Sequence, residues 1–385
     1  MAKDLTALIK SITKDLGASV VISQMSEVET PYHMRVPFGI MDLDAAMCGG
    51  WPRGTVNQLF GPDGTGKNLL VNHNMAQVQH IFGDDSNILY MTFGYRPDVD
   101  FMRKCGVKIR KTRAELEAIG VDPSKATVEQ LGEQIGNVYF LDISSNDEAN
   151  EHPAESLFTA AVRLIESGEF QLVVIDEMAS GETKDDVVKG LHENVRMATW
   201  ASLVTNFVKK VYTALRHKDV DDKPNGTCIV VLQPVRANTD AYSSKFNPWV
   251  IPSGHALKHA KAIDVHLSPA GYEVKGSDRE KIGKKIKWKI SKGKFGLSEG
   301  AEGEFTFLFY DAAGNGGIDL VRILANTAKA YECITRRGAN HYILDYDESV
   351  SGGFEGVIEY MKKHPEVAEE VRLAVLRAVT TGEVV

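Results

Sequence analysis

The segment TVNQLFGPDGTGKNLLVNHNMAQVQHIF, residues 55–82, constrains the chain more than any other. A short apolar run enters a loop with three glycines, and a stretch free of glycine and proline follows directly. That reads as strand, glycine loop and helix. The loop fills the pattern G-x-x-x-x-G-K with Gly61, Pro62, Asp63, Gly64, Thr65, Gly66 and Lys67, and Asn68 and Leu69 open the helix. Glycines let backbone N–H groups converge on phosphate oxygens. The helix start adds partial positive charge, and the lysine reaches the terminal phosphates. Asn68 stands where Ser or Thr would supply a hydroxyl for Mg²⁺. An amide oxygen is a weaker ligand, so Asn68 reads either as drift at a site that no longer hydrolyses or as part of a shared metal site. Asp176 is the expected acidic partner. It ends the buried run LVVID, and a carboxylate at the end of a parallel strand faces the same sheet edge as the loop. Glu177 is a candidate general base or a solvent-exposed strand end.

Buried strand patterns alternate with helical ones through the middle of the chain: NILYMTF, NVYFLDI, FQLVVIDEM and TCIVVLQ are separated by amphipathic segments. This implies an α/β fold with a mostly parallel sheet covered by helices on both faces. Changes of character near 35 and 311 divide the chain into an N-terminal helical segment (1–35), a core (36–310) and a small C-terminal part (311–385). In the last part, two helices flank a small polar segment.

Formal charge is −8, so bulk electrostatics do not advertise nucleic-acid binding. Residues 275–294 nevertheless carry nine Lys/Arg against two Asp/Glu. They read either as a solvated strand with its turn or as a functional basic stretch. The four cysteines (Cys48, Cys105, Cys228 and Cys333) lack CxxC spacing, which suggests a reducing setting without a cysteine metal site. No run approaches the ~18 apolar residues of a membrane helix.

Several segments, in order, resemble the RecA recombinase family, with a phage member of the UvsX type as the expected subclass. VPFGIMDLDAAMCGGWPRGTVNQLFGPDGTGK resembles the family's lead into its phosphate loop. DVDFMRKCGVKI, LVVIDEMAS, SGHALKHAKAIDVHLS and KISKGK resemble later family segments, and the tail resembles the family's small α/β C-terminal domain. An insertion occupies about 110–136. The resemblance implies binding of ATP and Mg²⁺ by the loop, Asn68 and Asp176. Asp98 and Phe101 would contact adenine, Gln233 would act as the sensor between nucleotide and DNA, and Lys292 and Lys294 would act on the neighbouring subunit's site. Two loops, about 179–195 and 236–254, would bind DNA through Arg196, Arg236, Tyr242, Lys245, Phe246 and Trp249, cations on phosphates and aromatics against bases. It further implies a filament-forming homo-oligomer on single- and double-stranded DNA, an N-terminal oligomerisation helix, single-strand-binding and mediator partners, no membrane, and a place in the host cytoplasm or nucleoid. One departure stands out. The family's catalytic glutamate falls on Gly94 here, and no shift of alignment restores it.

Overall fold

The computed structural model describes residues 11, 12, 14, 15, 25–142, 153–184, 197–219, 221–238, 249–251, 254–277, 279–346 and 349–381. Most of the expected N-terminal helix lies outside that set. So do most of both expected DNA-binding loops, with Arg196, Tyr242, Lys245 and Phe246.

Nine strands form one sheet. In chain order they are β1 (Val56–Gly61), β2 (Asn87–Thr92), β3 (Asn137–Leu141), β4 (Leu172–Asp176), β5 (Cys228–Pro234), β6 (Ile263–Lys275), β7 (Glu280–Gly293), β8 (Glu302–Leu308) and β9 (Gly317–Ile318). Their spatial order is β9-β8-β7-β6-β1-β5-β4-β2-β3. The pairs from β6 through β3 are parallel, and β6 to β9 pair antiparallel. The mostly parallel α/β sheet expected from the sequence is therefore present, with an antiparallel extension at one side.

The helices are α1 (Met41–Ala46), α2 (Lys67–Phe82), α3 (Val99–Lys104), α4 (Arg113–Ala118), α5 (Val128–Leu131), α6 (Pro153–Glu166), α7 (Met197–Ala214), α8 (Gly254–Ala260), α9 (Leu320–Ala330), α10 (Gly353–Lys363) and α11 (Pro365–Thr381). Side chains alternate between the faces of a strand, and two apolar cores follow. Leu59, Val174, Val230, Leu232 and Val265 pack with Leu70, Val71 and Met75 of α2 on one face. Val56, Val173, Ile175, Ile229 and Val231 pack with Leu157 of α6, Phe207 of α7 and Leu257 of α8 on the other. Strands buried on both sides read as continuous apolar runs, which is why β4 and β5 show in the sequence without alternation.

In the insertion, Thr112 with Glu115 and Thr127 with Gln130 form capping boxes at the starts of α4 and α5. Arg103 of α3 grips Glu115 with two bonds of 2.6 and 3.0 Å. That fork holds the Glu115 carboxyl down at about 2.

A third core joins α9, α10, α11 and the hairpin Ile334–Arg337/Asn340–Ile343 to Met41 and Ala45 of α1. Asp44 of α1 is buried beneath this junction and accepts bonds from the Phe38 and Gly39 N–H groups at 2.7 and 2.8 Å. Burial, aided by Asp42, pushes its carboxyl up to about 7 against the pull of those N–H groups and Arg372. The unfolded carboxyl titrates near ~3.9. Between these values the folded protein keeps a proton that the unfolded chain has lost. The corresponding stability is fully present below about pH 4 and is lost as pH rises through about 7. Asp44→Asn should remove that slope. Its melting temperature relative to wild type should rise between pH 4.5 and pH 8, and a constant difference across that interval would refute the assignment.

Candidate functional site

Parallel register sets the site. Gly61 of β1 pairs with Pro234 of β5, and Thr92 of β2 pairs with Asp176 of β4. The carboxyl ends of four strands therefore share one edge, where loops leave the sheet and ligands have access. A side chain at Gly61 is impossible without movement: a Cβ there would lie 2.3 Å from the Leu267 carbonyl oxygen. Gly66, immediately before α2, holds the left-handed φ of 82° that turns the loop into the helix. Thr65 Oγ1 donates to the Pro62 carbonyl at 2.6 Å and pins the loop.

The loop borders a cleft of about 580 Å³ lined on its other sides by Tyr90, Thr92, Gly94, Asp98, Phe101, Asp176 and Glu177, among others. Lys67 lies folded back along the loop, its ammonium donating to the Gly61 and Pro62 carbonyls at 3.0 and 3.2 Å. Burial lowers its pKa, opposed by Asp63, Glu177 and Asp176. Asp176 Oδ2 accepts two bonds, from the Tyr90 hydroxyl at 2.6 Å and from Asn68 Nδ2 at 3.1 Å. Only the NH₂ end of an amide can face a carboxylate, so the Asn68 oxygen is turned away from Asp176. Burial raises the Asp176 pKa; Tyr90, Asn68 and Lys67 pull it down, and Glu177 adds to the rise. Glu177 accepts from Ser180 Oγ at 3.0 Å.

Among the described residues, no group of three or more His, Cys, Asp or Glu could hold a metal by itself. The oxygens present are nevertheless of the hard type Mg²⁺ prefers, and Mg²⁺ commonly takes only one or two carboxylates beside phosphates and water. Asp176 Oδ1 fits that role; the Asn68 amide would have to release Asp176 and turn before its oxygen could join it.

The cleft gathers Asp63, Gly64, Lys67, Asn68, Asp98, Phe101, Asp176 and Glu177 from the expected set. Asp98 spends one carboxylate oxygen capping α3, accepting from the Phe101 N–H at 3.1 Å. The Leu69 side chain is buried in the core, so its backbone N–H is what it could offer a phosphate. Gln233 does not line the cleft. It lies on β5 in register with Phe60, fully buried, and neither amide atom has a hydrogen-bond partner among the described residues. Lys292 and Lys294 are also absent from the cleft lining. Lys292 Nζ donates to the Lys258 carbonyl of α8 at 2.9 Å, and Lys294 is exposed. Arg236 and Trp249 are exposed at the two ends of the second expected loop, which a short antiparallel ladder, Arg236↔Val250 and Ala237↔Trp249, draws together.

Tyr90, Thr92 and Arg96 belong to the lining and were not expected from the sequence. The signal for Tyr90 was a hydroxyl within an otherwise apolar run, two positions before the strand end.

The sheet and loop together define a phosphate-loop α/β fold of the RecA type. A family model described as the RecA N-terminal domain matches residues 3–116, ending inside the insertion. Protein RecA 1 of Myxococcus xanthus is 26% identical over 368 residues, covering 95% of this chain and 91% of that protein. Protein RecA of Chlamydia pneumoniae is 26% identical over 372 residues, covering 96% and 89%. Protein RecA of Lactobacillus johnsonii is 26% identical over 385 residues, covering 98% and 91%. Among solved structures, the RadB recombinase aligns at 12% identity with a TM-score of 0.40, covering 69% of this chain and 92% of that one. The chain is thus similar to RecA proteins over most of its length.

Proposed function

We propose that the protein is an ATP-dependent homologous-recombination protein that forms a helical filament on single-stranded DNA and promotes pairing and strand exchange. The observation that carries this reading is the meeting of the Gly61–Lys67 loop, Asp176, Asp98 and Phe101 at one cleft, in a chain similar to RecA proteins nearly end to end. Lys67 and the loop N–H groups would bind the triphosphate, and Phe101 would stack on the base. Asp176 and Asn68 would hold Mg²⁺, which neutralises charge on the phosphates. Lys292 and Lys294, outside their own cleft, would serve the neighbouring subunit's nucleotide. Arg236 and Trp249, with the rest of their loop, would contact single-stranded DNA. The remaining elements of this reading are a UvsX-like phage origin, which rests on divergence alone, a host cytoplasmic location, and single-strand-binding or mediator partners.

A second reading concerns hydrolysis. Gly94 brings no carboxylate to the cleft, and the Asn68 amide is tied to Asp176. We infer a protein, filament or ring, that binds ATP and hydrolyses it slowly or by another base such as Glu177 or Asp98, using ATP structurally or together with an intact paralogue. DNA strand exchange with ATP and with a non-hydrolysable analogue tests both readings. Equal yields are expected. No exchange with either nucleotide would refute the recombinase reading, and exchange with ATP alone would refute the slow-hydrolysis reading.

A further inference from the structure

Lys67 is not the only cation resting on the phosphate loop. Lys284, from β7, donates to the Gly64 carbonyl at 3.3 Å. Three observations separate this lysine from an ordinary basic surface residue. The first is its position. Along β7 it shares a strand face with Ile286, Trp288 and Ile290, which are buried in the core with α2. Lys284 extends that row to where the core ends and the loop begins. The second is its charge. Neighbouring Lys285 and Lys287 are paired with Glu273 and Glu302 at 3.0 and 2.9 Å, and Lys281 lies over the Tyr272 ring. Among the described residues no carboxylate lies within ion-pair distance of Lys284. The third is the space around it. Lys284 lines a pocket of about 270 Å³ walled by Leu69, Phe101, Ile286, Phe307 and Phe309, and this pocket shares Gly64, Lys67, Asn68 and Phe101 with the larger cleft.

A neutral carbonyl oxygen is a weaker partner for an ammonium than an anionic oxygen. An unneutralised cation beside a loop whose N–H groups converge on phosphate thus has a stronger partner available once nucleotide is bound. We propose that Lys284 is a nucleotide-binding residue acting within its own chain. It exchanges the Gly64 carbonyl for a phosphate oxygen of the bound nucleoside triphosphate. This assignment rests on the ATP-binding reading above, and it supplies a second positive charge at the loop beside that of Lys67.

The test is equilibrium binding of a fluorescent ATP analogue and its ADP counterpart, with Mg²⁺, to the full chain. Lys284→Gln removes the charge while keeping an N–H donor for the Gly64 carbonyl, and Lys284→Arg keeps the charge. Lys284→Gln should weaken ATP-analogue binding by about tenfold and make affinity less dependent on salt. Lys284→Arg should stay within about threefold of wild type. The nucleotide-free melting temperature, which reports folding, should be the same for all three proteins. If wild type binds the analogue and Lys284→Gln binds it within about twofold, with unchanged salt dependence, Lys284 is only a brace for the loop and the assignment is overturned. Failure of wild type itself to bind would instead overturn the ATP reading and, with it, this assignment.

Discussion

Gly94→Glu is expected to raise single-stranded-DNA-dependent ATP turnover by about 100-fold, the low end of what a positioned general base contributes. Gly94 follows β2 and faces the cleft beside Asp176 and Glu177. A Cβ there meets nothing nearer than Thr92 Oγ1 at 3.9 Å, and Gly94 is not among the glycines with positive φ. A glutamate therefore enters without backbone strain. It would place a carboxylate near the Lys67 and Asp176 side of the cleft, where an attacking water must be oriented. ATP affinity should change little, because the added group meets water and not the phosphates held by the loop. Steady-state hydrolysis with and without single-stranded DNA is the measurement. Turnover that stays flat in Gly94→Glu, but collapses in Glu177→Gln, would show that Glu177 already fills the role and that Gly94 is no deficit.

What the sequence disclosed of this site, and what it hid, follows from how local each constraint is. The phosphate loop was legible because its geometry is dictated within a dozen residues. Thr65 bonds back to the Pro62 carbonyl, Gly66 takes a left-handed turn, and a helix must follow at once. Asp176 was legible because a carboxylate closing an apolar run marks the end of a buried strand. The Tyr90 hydroxyl on Asp176 depends on the register of β2 against β4, two strands separated in the chain by four helices and a further strand. No short window of sequence contains that register. Lys284 is hidden more deeply: its bond to Gly64 spans 220 residues, and its charge is lost among eight other basic residues in the same stretch. In the tail, the segment between the two outer helices looked merely polar. It holds the Ile334–Arg337/Asn340–Ile343 hairpin and α10, whose few buried residues, Ile334, Ile343, Val357, Ile358 and Met361, are too sparse to announce a core. The same locality explains the reading of Asn68. Its departure from the usual hydroxyl is visible in one residue, but the direction of its amide is set by Asp176, a distant residue.

Lys67→Gln should separate the function of this lysine from any structural role. The side chain is 7% exposed, and desolvation depresses its pKa. Its ammonium is met by the neutral Gly61 and Pro62 carbonyls and, at 3.8 Å, by exposed Asp63. These partners compensate burial of a charge poorly, so a lysine held this way is a cost to the folded chain that a ligand would offset. Removing the charge should leave the nucleotide-free melting temperature unchanged or raised. ATP affinity should fall by about 100-fold, within the range for removing one partner of a buried charge pair. On the proposed reading, DNA strand exchange depends on bound nucleotide and should be lost with it. Calorimetric melting and nucleotide titration on the same preparation decide between the roles. A large drop in melting temperature with ATP affinity within about threefold of wild type would make Lys67 a structural brace, and the cleft would lose its claim to the triphosphate.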